Sequence, residues 1–346
     1  MLKETLNRVL DGKTLSTEEA YEVMDLVMKG EVSSEQLASL ISLLRFRGET
    51  VEELFGFVQG MREHMTTIQH NETVVVDTCG TGGDGQSTFN ISTAVAIVLA
   101  AMDVKVAKHG NRKVSSASGS ADVLELLGVP VNGTPEEAKD MLARNGMTFL
   151  YAPTYHSAMR HAGGARRELG FRTMFNMLGP LSNPANSRHQ VIGIYDTNLG
   201  ETLAETLNKL GSQHVLLVTG RDGLDEFSIS EPTDVVELKD ETIHRYTVAP
   251  EEVGLERGKI EDIQVQNPLQ SARMIQEIFE GTANKTATNI VTLNAAAGLY
   301  VAGETPSIET GVSLVQTALA SGTVATYFKK LQQKKGEGLE YASSDS

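Results

Sequence analysis

Gly80, Gly82, Gly83 and Gly85 fall within six consecutive positions, after the β-branched run Val74-Val75-Val76 and ahead of an apolar, helix-forming run that begins near Ile91. A strand feeding a glycine-rich loop at a helix N-terminus can point bare backbone N–H groups at an anion, and the helix dipole favours negative charge there. The chemistry indicated is phosphate binding. The same stretch carries two acids, Asp77 and Asp84. Acids oppose a phosphate, so a cation is expected between them and the ligand.

A second set follows the next candidate strand, which ends in Lys108-His109-Gly110-Asn111-Arg112-Lys113. Ligands of open α/β sheets collect beyond the carboxyl ends of the strands. Lys108 and Arg112 would therefore converge with the glycine N–H groups on one anion. Ser115, Ser116, Ser118 and Ser120 add hydroxyls, and Asp122 opens another helix; any single serine is equally compatible with loop solvation. His109 reads equally well as a loop histidine and as a ligand-facing one. Gly80-x-Gly82-x-x-Gly85 also matches the dinucleotide fingerprint, but that fingerprint needs an acid at the end of the second strand. Here that end is basic, and an NADP reading survives only through Arg112.

Asp225-Glu226 lies beyond a third candidate strand, 214–218. Magnesium takes oxygen ligands and is commonly held by one or two carboxylates plus substrate phosphate. Among the 45 acids of the chain such a pair is a weak signal alone; beside a phosphate site it would explain the acids in the glycine loop. His156, Arg160, His161, Arg166 and Arg167 fall within about three helical turns. Arg pairs bidentately with carboxylates, and the competing reading is a solvated helix face. The segment 171–184 breaks at Gly179-Pro180 and Asn183-Pro184 and reads as a rigid connector.

The elements that must position these residues come in two kinds. Over the first 65 or so residues, Ser16-x-x-Glu19, Ser33-x-x-Gln36 and Thr50-x-x-Glu53 are three capping-box signatures, each ahead of a periodic apolar segment. No strand signal interrupts them. From Val74 onward short apolar strands (74–77, 104–108, 148–151, 191–195, 214–218) alternate with segments long enough for crossover helices, which predicts a parallel sheet covered on both faces. Residues 234–238 and 243–248 read as an antiparallel hairpin added to it. Thr134-Pro135 opens a helix with Pro at its first position. The last helices are Ala-rich, around 295–301 and 314–320, and the tail from Lys334 is polar.

Composition narrows the partners. The chain has 346 residues, 40% of them hydrophobic and 22% charged, with a formal charge of −15 and one cysteine. That charge argues against nucleic acid. One cysteine excludes an intramolecular disulfide framework and a Cys-based zinc site. No apolar run is long enough for a bilayer, and Met1 to Thr5 lack a signal-peptide core. The expectation is a cytoplasmic protein with no membrane partner.

In combination these stretches resemble the anthranilate phosphoribosyltransferases. The resemblance rests on Asp77-Thr78-Cys79-Gly80-Thr81-Gly82-Gly83-Asp84, Asn90-Ile91-Ser92-Thr93, Lys108-His109-Gly110-Asn111-Arg112, Ser118-Gly119-Ser120-Ala121-Asp122, Arg166-Arg167-Glu168-Leu169-Gly170, Asn176-Met177-Leu178-Gly179-Pro180-Leu181 and Asp225-Glu226, in that order across essentially the whole chain. Ala117 departs from it, since many members carry Lys there, and Gly163-Gly164-Ala165 reads as a variable loop. The resemblance implies an α/β protein of the nucleoside phosphorylase/phosphoribosyltransferase-like kind, with a mainly parallel sheet flanked by helices and a smaller all-helical N-terminal domain. The division expected is 1–70, joined by part of 165–185, and 71–346. It implies transfer of 5-phosphoribose from phosphoribosyl pyrophosphate to the amine of anthranilate, in tryptophan biosynthesis, by a homodimer using two Mg²⁺ per subunit.

The residue roles it implies are as follows. Gly80, Gly83, Asp84, Thr88, Asn90, Ile91, Ser92 and Thr93 surround the pyrophosphate and ribose. Lys108, His109, Gly110, Asn111, Arg112, Lys113, Val114, Ser115 and Ser116, with Ser120, bind the phosphorylated sugar. Ser92, Asp225 and Glu226 hold the metal, and Gly80, Asn111 and Arg166 place anthranilate. No single acid or base is assigned. Two other readings compete: a pyrimidine nucleoside phosphorylase of the same fold, which needs no acidic metal pair, and a non-catalytic ligand-binding protein on this scaffold.

Overall fold

The computed structural model describes residues 2–112 and 118–333, apart from the side chain of Gln333. Lys113, Val114, Ser115, Ser116 and Ala117, and the tail from Lys334, lie outside the described residues.

Four helices come first: α1 (Leu2–Leu10), α2 (Thr17–Lys29), α3 (Ser34–Arg47) and α4 (Val51–Glu63). All three capping boxes form, at Ser16, Ser33 and Thr50, each with its reciprocal side-chain and backbone bonds. These caps satisfy N–H groups that a helix start leaves bare. Gly56 and Gly60 let α4 lie directly on α2: a methyl at Gly56 would stand 2.3 Å from the Thr17 carbonyl oxygen.

Next come β1 (Val76–Gly80), α5 (Ile91–Ala101), β2 (Val106–Gly110), α6 (Ser120–Leu126), α7 (Pro135–Asn145), β3 (Met147–Tyr151), α8 (Ala152–Tyr155), α9 (Arg160–Leu169) and α10 (Met174–Leu178). The rest are β4 (His189–Gly193), α11 (Gly200–Lys209), β5 (His214–Gly220), β6 (Thr233–Lys239), β7 (Thr242–Val248), α12 (Pro268–Glu280), α13 (Lys285–Ala302), α14 (Ile308–Ala320) and α15 (Thr323–Gln333). One sheet of order β3-β2-β1-β4-β5-β6-β7 contains every strand among the described residues. The first five are parallel, and β6 and β7 form the expected antiparallel hairpin.

Strand alternation divides the core. Val191, Leu216 and Val218 face α5 and the C-terminal helices, while Ile192, Val215 and Leu217 face a cluster that includes α2, α3 and α4. Successive strand residues point to opposite faces, so each strand feeds both layers. The helical start therefore shares a core with one face of the sheet. Residues 174–181 also contribute to that cluster, and Arg62 of α4 donates from Nε (3.1 Å) and Nη2 (2.7 Å) to the Leu181 carbonyl.

Two sequence-based readings are corrected. Strands β1 and β2 end at Gly80 and Gly110, not at residues 77 and 108, because ladders on both sides carry the backbone pairing through Gly80↔Gly193 and Gly110↔Tyr151. Asp77 is thus a fully buried strand residue and no part of the loop. The supposed loop at Gly163-Gly164-Ala165 lies inside α9. Ala162 and Ala165 are buried there, and α9 packs against α3. That packing overrides the low helix propensity of two glycines.

Candidate active site

The chain runs β1, β2, β3 in one direction across the sheet, then returns with β4 on the other side of β1. The crevice between the carboxyl ends of β1 and β4 is a topological switch point, the usual ligand position in open α/β sheets. A cavity of about 810 Å³ opens there.

Paired glycines shape its floor. Gly80 and Gly193 are cross-strand partners, and Asp225 lies over them. A methyl at Gly193 would stand 1.6 Å from the Asp225 carbonyl oxygen, and one at Gly80 2.9 Å from Asp225 Oδ2. Only glycine lets the Asp225-Glu226 backbone reach this depth. Sequence reasoning missed Gly193; its signal emerges only when β1 and β4 are placed side by side. Asp225 Oδ2 accepts from the Gly82 N–H at 3.0 Å, and Gln86 Nε2 donates to the Asp222 carbonyl at 2.8 Å. Both bonds tie the glycine loop to the segment that carries the acids. The N–H groups of Gly83, Asp84 and Gly85 have no partner among the described residues.

The charged groups oppose one another closely. Burial, then Asp84 and Glu226, push the Asp225 carboxyl well above its usual range. Burial raises Glu226 to about 7, against the pull of Lys108 and bonds from Ser92. Lys108 is buried, and its ammonium donates to the Thr78 carbonyl and to Ser92 Oγ (3.0 Å). Desolvation draws its pKa down, while Asp77 pulls it back up. Asp77 in turn accepts from the His109 N–H at 3.1 Å. The acid noticed in the sequence at Asp77 is therefore offset inside the fold by Lys108.

Among the described residues no three His, Cys, Asp or Glu side chains converge to hold a metal alone. Two desolvated carboxylates, each raised further by Asp84, nonetheless fit a magnesium ion completed by phosphate and water oxygens.

Around the anion end, Asn90 ties two segments together. Its Oδ1 accepts from Ser118 Oγ and from Ser271 Oγ (2.8 Å), and its N–H donates to Ser271 Oγ (2.9 Å). Arg112 lies at the rim, but its guanidinium is taken by Asp122 (3.0 Å) and Glu125 (2.6 Å). At the other end, Arg166 lines the cavity 5.3 Å from the Phe175 ring centroid and has no carboxylate partner among the described residues. Burial lowers its pKa. An unpaired, half-buried guanidinium fits an anionic ligand group. The His109 and His156 rings meet edge to face at 5.0 Å. Burial depresses them to about 3 and about 4, so both are neutral near pH 7.

The structure thus gathers Gly80, Gly83, Asp84, Thr88, Asn90, Ile91, Ser92, Lys108, His109, Gly110, Asn111, Arg112, Ser120, Arg166, Asp225 and Glu226 around one cavity. Thr93 is not among them: one position after Ser92 on α5, it turns into the core and is fully buried. His161 and Arg167 do not line the cavity either, whereas His156, Arg160 and Arg166 do. The helical turn separates them, and His161 sits instead against Gly30 beyond α2. Phe175 and Asn176 also line the site, and sequence reasoning gave them no role; Ser118, read there as one of the hydroxyls for the anion, lines it as well.

Comparison with known proteins agrees along the whole length. Residues 3–65 match the model of the glycosyl transferase family, helical bundle domain, and residues 72–325 that of the glycosyl transferase family, a/b domain. The anthranilate phosphoribosyltransferase of Geobacillus thermodenitrificans is 55% identical, covering 97% of this chain and 98% of that one. Its Bacillus subtilis counterpart is 50% identical over 96% and 98%. The crystal structure of the Thermus thermophilus enzyme superposes with a TM-score of 0.89 at 39% identity, covering 95% of this chain and 98% of that one. The Saccharomyces cerevisiae enzyme, in complex with PRPP and Mg, shares the fold at a TM-score of 0.87 and 24% identity, over 96% and 97%.

Proposed function

The chain belongs to the anthranilate phosphoribosyltransferase family, and on that premise we propose how its own residues serve the transfer. The reaction moves 5-phosphoribose from phosphoribosyl pyrophosphate to the amine of anthranilate and releases pyrophosphate, a step of tryptophan biosynthesis. The observation that carries the residue assignment is the meeting of unpartnered loop N–H groups, opposed carboxylates and an unpaired Arg166 in one crevice.

The N–H groups of Gly83, Asp84 and Gly85 receive the pyrophosphate. Ser92, Asp225 and Glu226 hold Mg²⁺, two ions per subunit, with Lys108 setting the Ser92 hydroxyl. When bound, Mg²⁺ stabilises the negative charge that builds on the leaving pyrophosphate. Asn90 holds the 118–120 turn beside the sugar, where Ser120 is within the cavity wall. Arg166 pairs with the carboxylate of anthranilate, and Asn111 and the Gly80 backbone line the same end.

The bond from the ribose carbon to pyrophosphate breaks as the amine attacks the opposite face. The aryl amine is already neutral near pH 7, and neutral His109 and His156 add no competing charge. Catalysis is then positioning and electrostatics, with no obligatory general base. Thr93, buried away from the cavity, has no direct part, and Arg112 contacts ligand only by leaving its acidic partners. Lys113, Val114, Ser115 and Ser116 remain assigned to the sugar phosphate by family likeness.

We also read the protein as a cytoplasmic homodimer joined through the helical region, divided near residue 70. The nearly bare Phe46 of α3 (93% exposed) supports a surface to be covered there. No described helix is long and apolar enough to cross a membrane.

The direct test mixes protein, Mg²⁺, phosphoribosyl pyrophosphate and anthranilate and follows loss of anthranilate fluorescence. Steady loss that stops when Mg²⁺ is chelated supports the reading. No loss, with phosphate-dependent cleavage of uridine or thymidine instead, would favour a nucleoside phosphorylase.

A further inference from the structure

Arg172 lies between α9 and α10, outside the cavity wall, and the mechanism above does not use it. Its guanidinium carbon stands 4.3 Å from the centroid of the Tyr195 ring. Tyr195 follows β4 at the carboxyl end of the sheet, and its hydroxyl accepts from Arg45 Nη1 of α3 at 3.4 Å. On its other side Arg172 meets the glycine loop: a methyl at Gly83 would stand 3.2 Å from its Nε and 3.4 Å from its Nη2. Gly83 has φ +79°, so that position already favours glycine, and Arg172 occupies the space a side chain would need. Arg172 makes no ion pair and no hydrogen bond to a protein group among the described residues.

We propose that Arg172 is a positioning residue for the pyrophosphate loop, taking its own place from the helical region through the column Arg45–Tyr195–Arg172–Gly83. The proposal rests on the reading that this loop receives pyrophosphate. Stacking on Tyr195 engages only the face of the guanidinium. Its planar edge and its charge stay directed at a loop whose Gly83 N–H is unpartnered. In a chain of net charge −15, an uncompensated cation behind that loop favours an arriving polyanion. The column also joins four separate segments: α3, the end of β4, the α9–α10 connection and the loop after β1. A shift of the helical region would therefore reach the loop without passing through the cavity.

The test compares steady-state kinetics and unfolding midpoints of Arg172→Ala, Arg172→Lys, Tyr195→Leu and Tyr195→Phe with the parent enzyme. Arg172→Ala is expected to raise KM for phosphoribosyl pyrophosphate roughly tenfold, about the size of one cation–π contact, while KM for anthranilate moves less than about twofold. Arg172→Lys should fail to restore it, because an ammonium has no planar face to stack. Tyr195→Leu should reproduce the defect and Tyr195→Phe should relieve most of it. The Arg172→Ala/Tyr195→Leu double variant should be no worse than either single one. Equal rises in both KM values, an unchanged KM for phosphoribosyl pyrophosphate, or additive single effects would overturn the proposal. Loss confined to the unfolding midpoint would do the same. An inactive parent enzyme would instead overturn the functional reading on which it rests.

Discussion

The carboxyl of Glu226 stands where burial and Asp84 oppose its ionisation, while Lys108 and Ser92 favour it. With its pKa near 7 in the fold and near the ordinary 4.5 in the unfolded chain, the native state holds more protons between those values. Stability contributed by the protonated form is present below about pH 4.5 and lost as pH rises toward 7. Metal-free Glu226→Gln should therefore be more stable than the parent at pH 8, by on the order of 1–2 kcal/mol after allowance for partial exposure, and match it near pH 4 in thermal unfolding. The same substitution should nearly abolish turnover. A destabilised variant at pH 8 would contradict the electrostatic account. Arg166 carries the opposite logic, since its charge has no carboxylate partner among the described residues. Arg166→Ala is expected to raise KM for anthranilate at least tenfold, about 1.4 kcal/mol, with a far smaller change for phosphoribosyl pyrophosphate. Equal effects on both would remove its carboxylate role.

The acids are placed by strand ends. β1 and β4 finish on facing glycines, and the segment after β5 folds back over them. Gly193→Ala forces the Asp225 carbonyl to move, because 1.6 Å admits no carbon. It should cost about 1–3 kcal/mol of stability, as overpacking does, and raise the Mg²⁺ concentration needed for half-maximal activity. A variant with unchanged metal dependence would show that Asp225-Glu226 need not reach this depth. Helices contribute differently. The three capping boxes of α2, α3 and α4 fix the starts of a bundle that holds α9, and with it Arg166, over the crevice.

At the scale of the molecule, two layers share one sheet, and the cavity lies where both reach its carboxyl edge. The core on the side of α2, α3 and α4 runs without interruption into β4, β5 and α11. Phe46 remains 93% exposed on that side and Leu10 68%. A side chain as large as Phe46, left almost bare, is the residue on this side to test as part of an interaction surface. Phe46→Glu is expected to shift the protein from dimer to monomer in sedimentation equilibrium while leaving each subunit folded. A parent enzyme that sediments as a monomer would remove the proposed dimer.

Local spacing was enough to read the helical start, the alternation of strands and helices, the glycine loop, the basic strand end and the acid pair from the sequence, though not the helix through Gly163-Gly164-Ala165. Capping boxes, strand alternation and turn residues act over a few positions and were legible, whereas the ends of β1 and β2 were set by neighbouring strands and were not. The sequence by itself also determined the family, since the order of several modest motifs is jointly specific. How each residue is used depends on contacts made across the fold. Asp77 and Asp84 look alike in the sequence, yet one is buried against Lys108 and the other lines the cavity. Thr93 follows Ser92 but faces the core, because one residue of α5 turns the side chain by about 100°. Arg112 is engaged by Asp122 and Glu125, while Arg166 meets the Phe175 ring and has no carboxylate partner among the described residues. Gly193 and Arg172 gained meaning only through neighbours far along the chain. The depth of a carboxylate, the partner of a guanidinium and the clearance at a glycine all depend on which strand ends meet, and that is a property of the folded sheet.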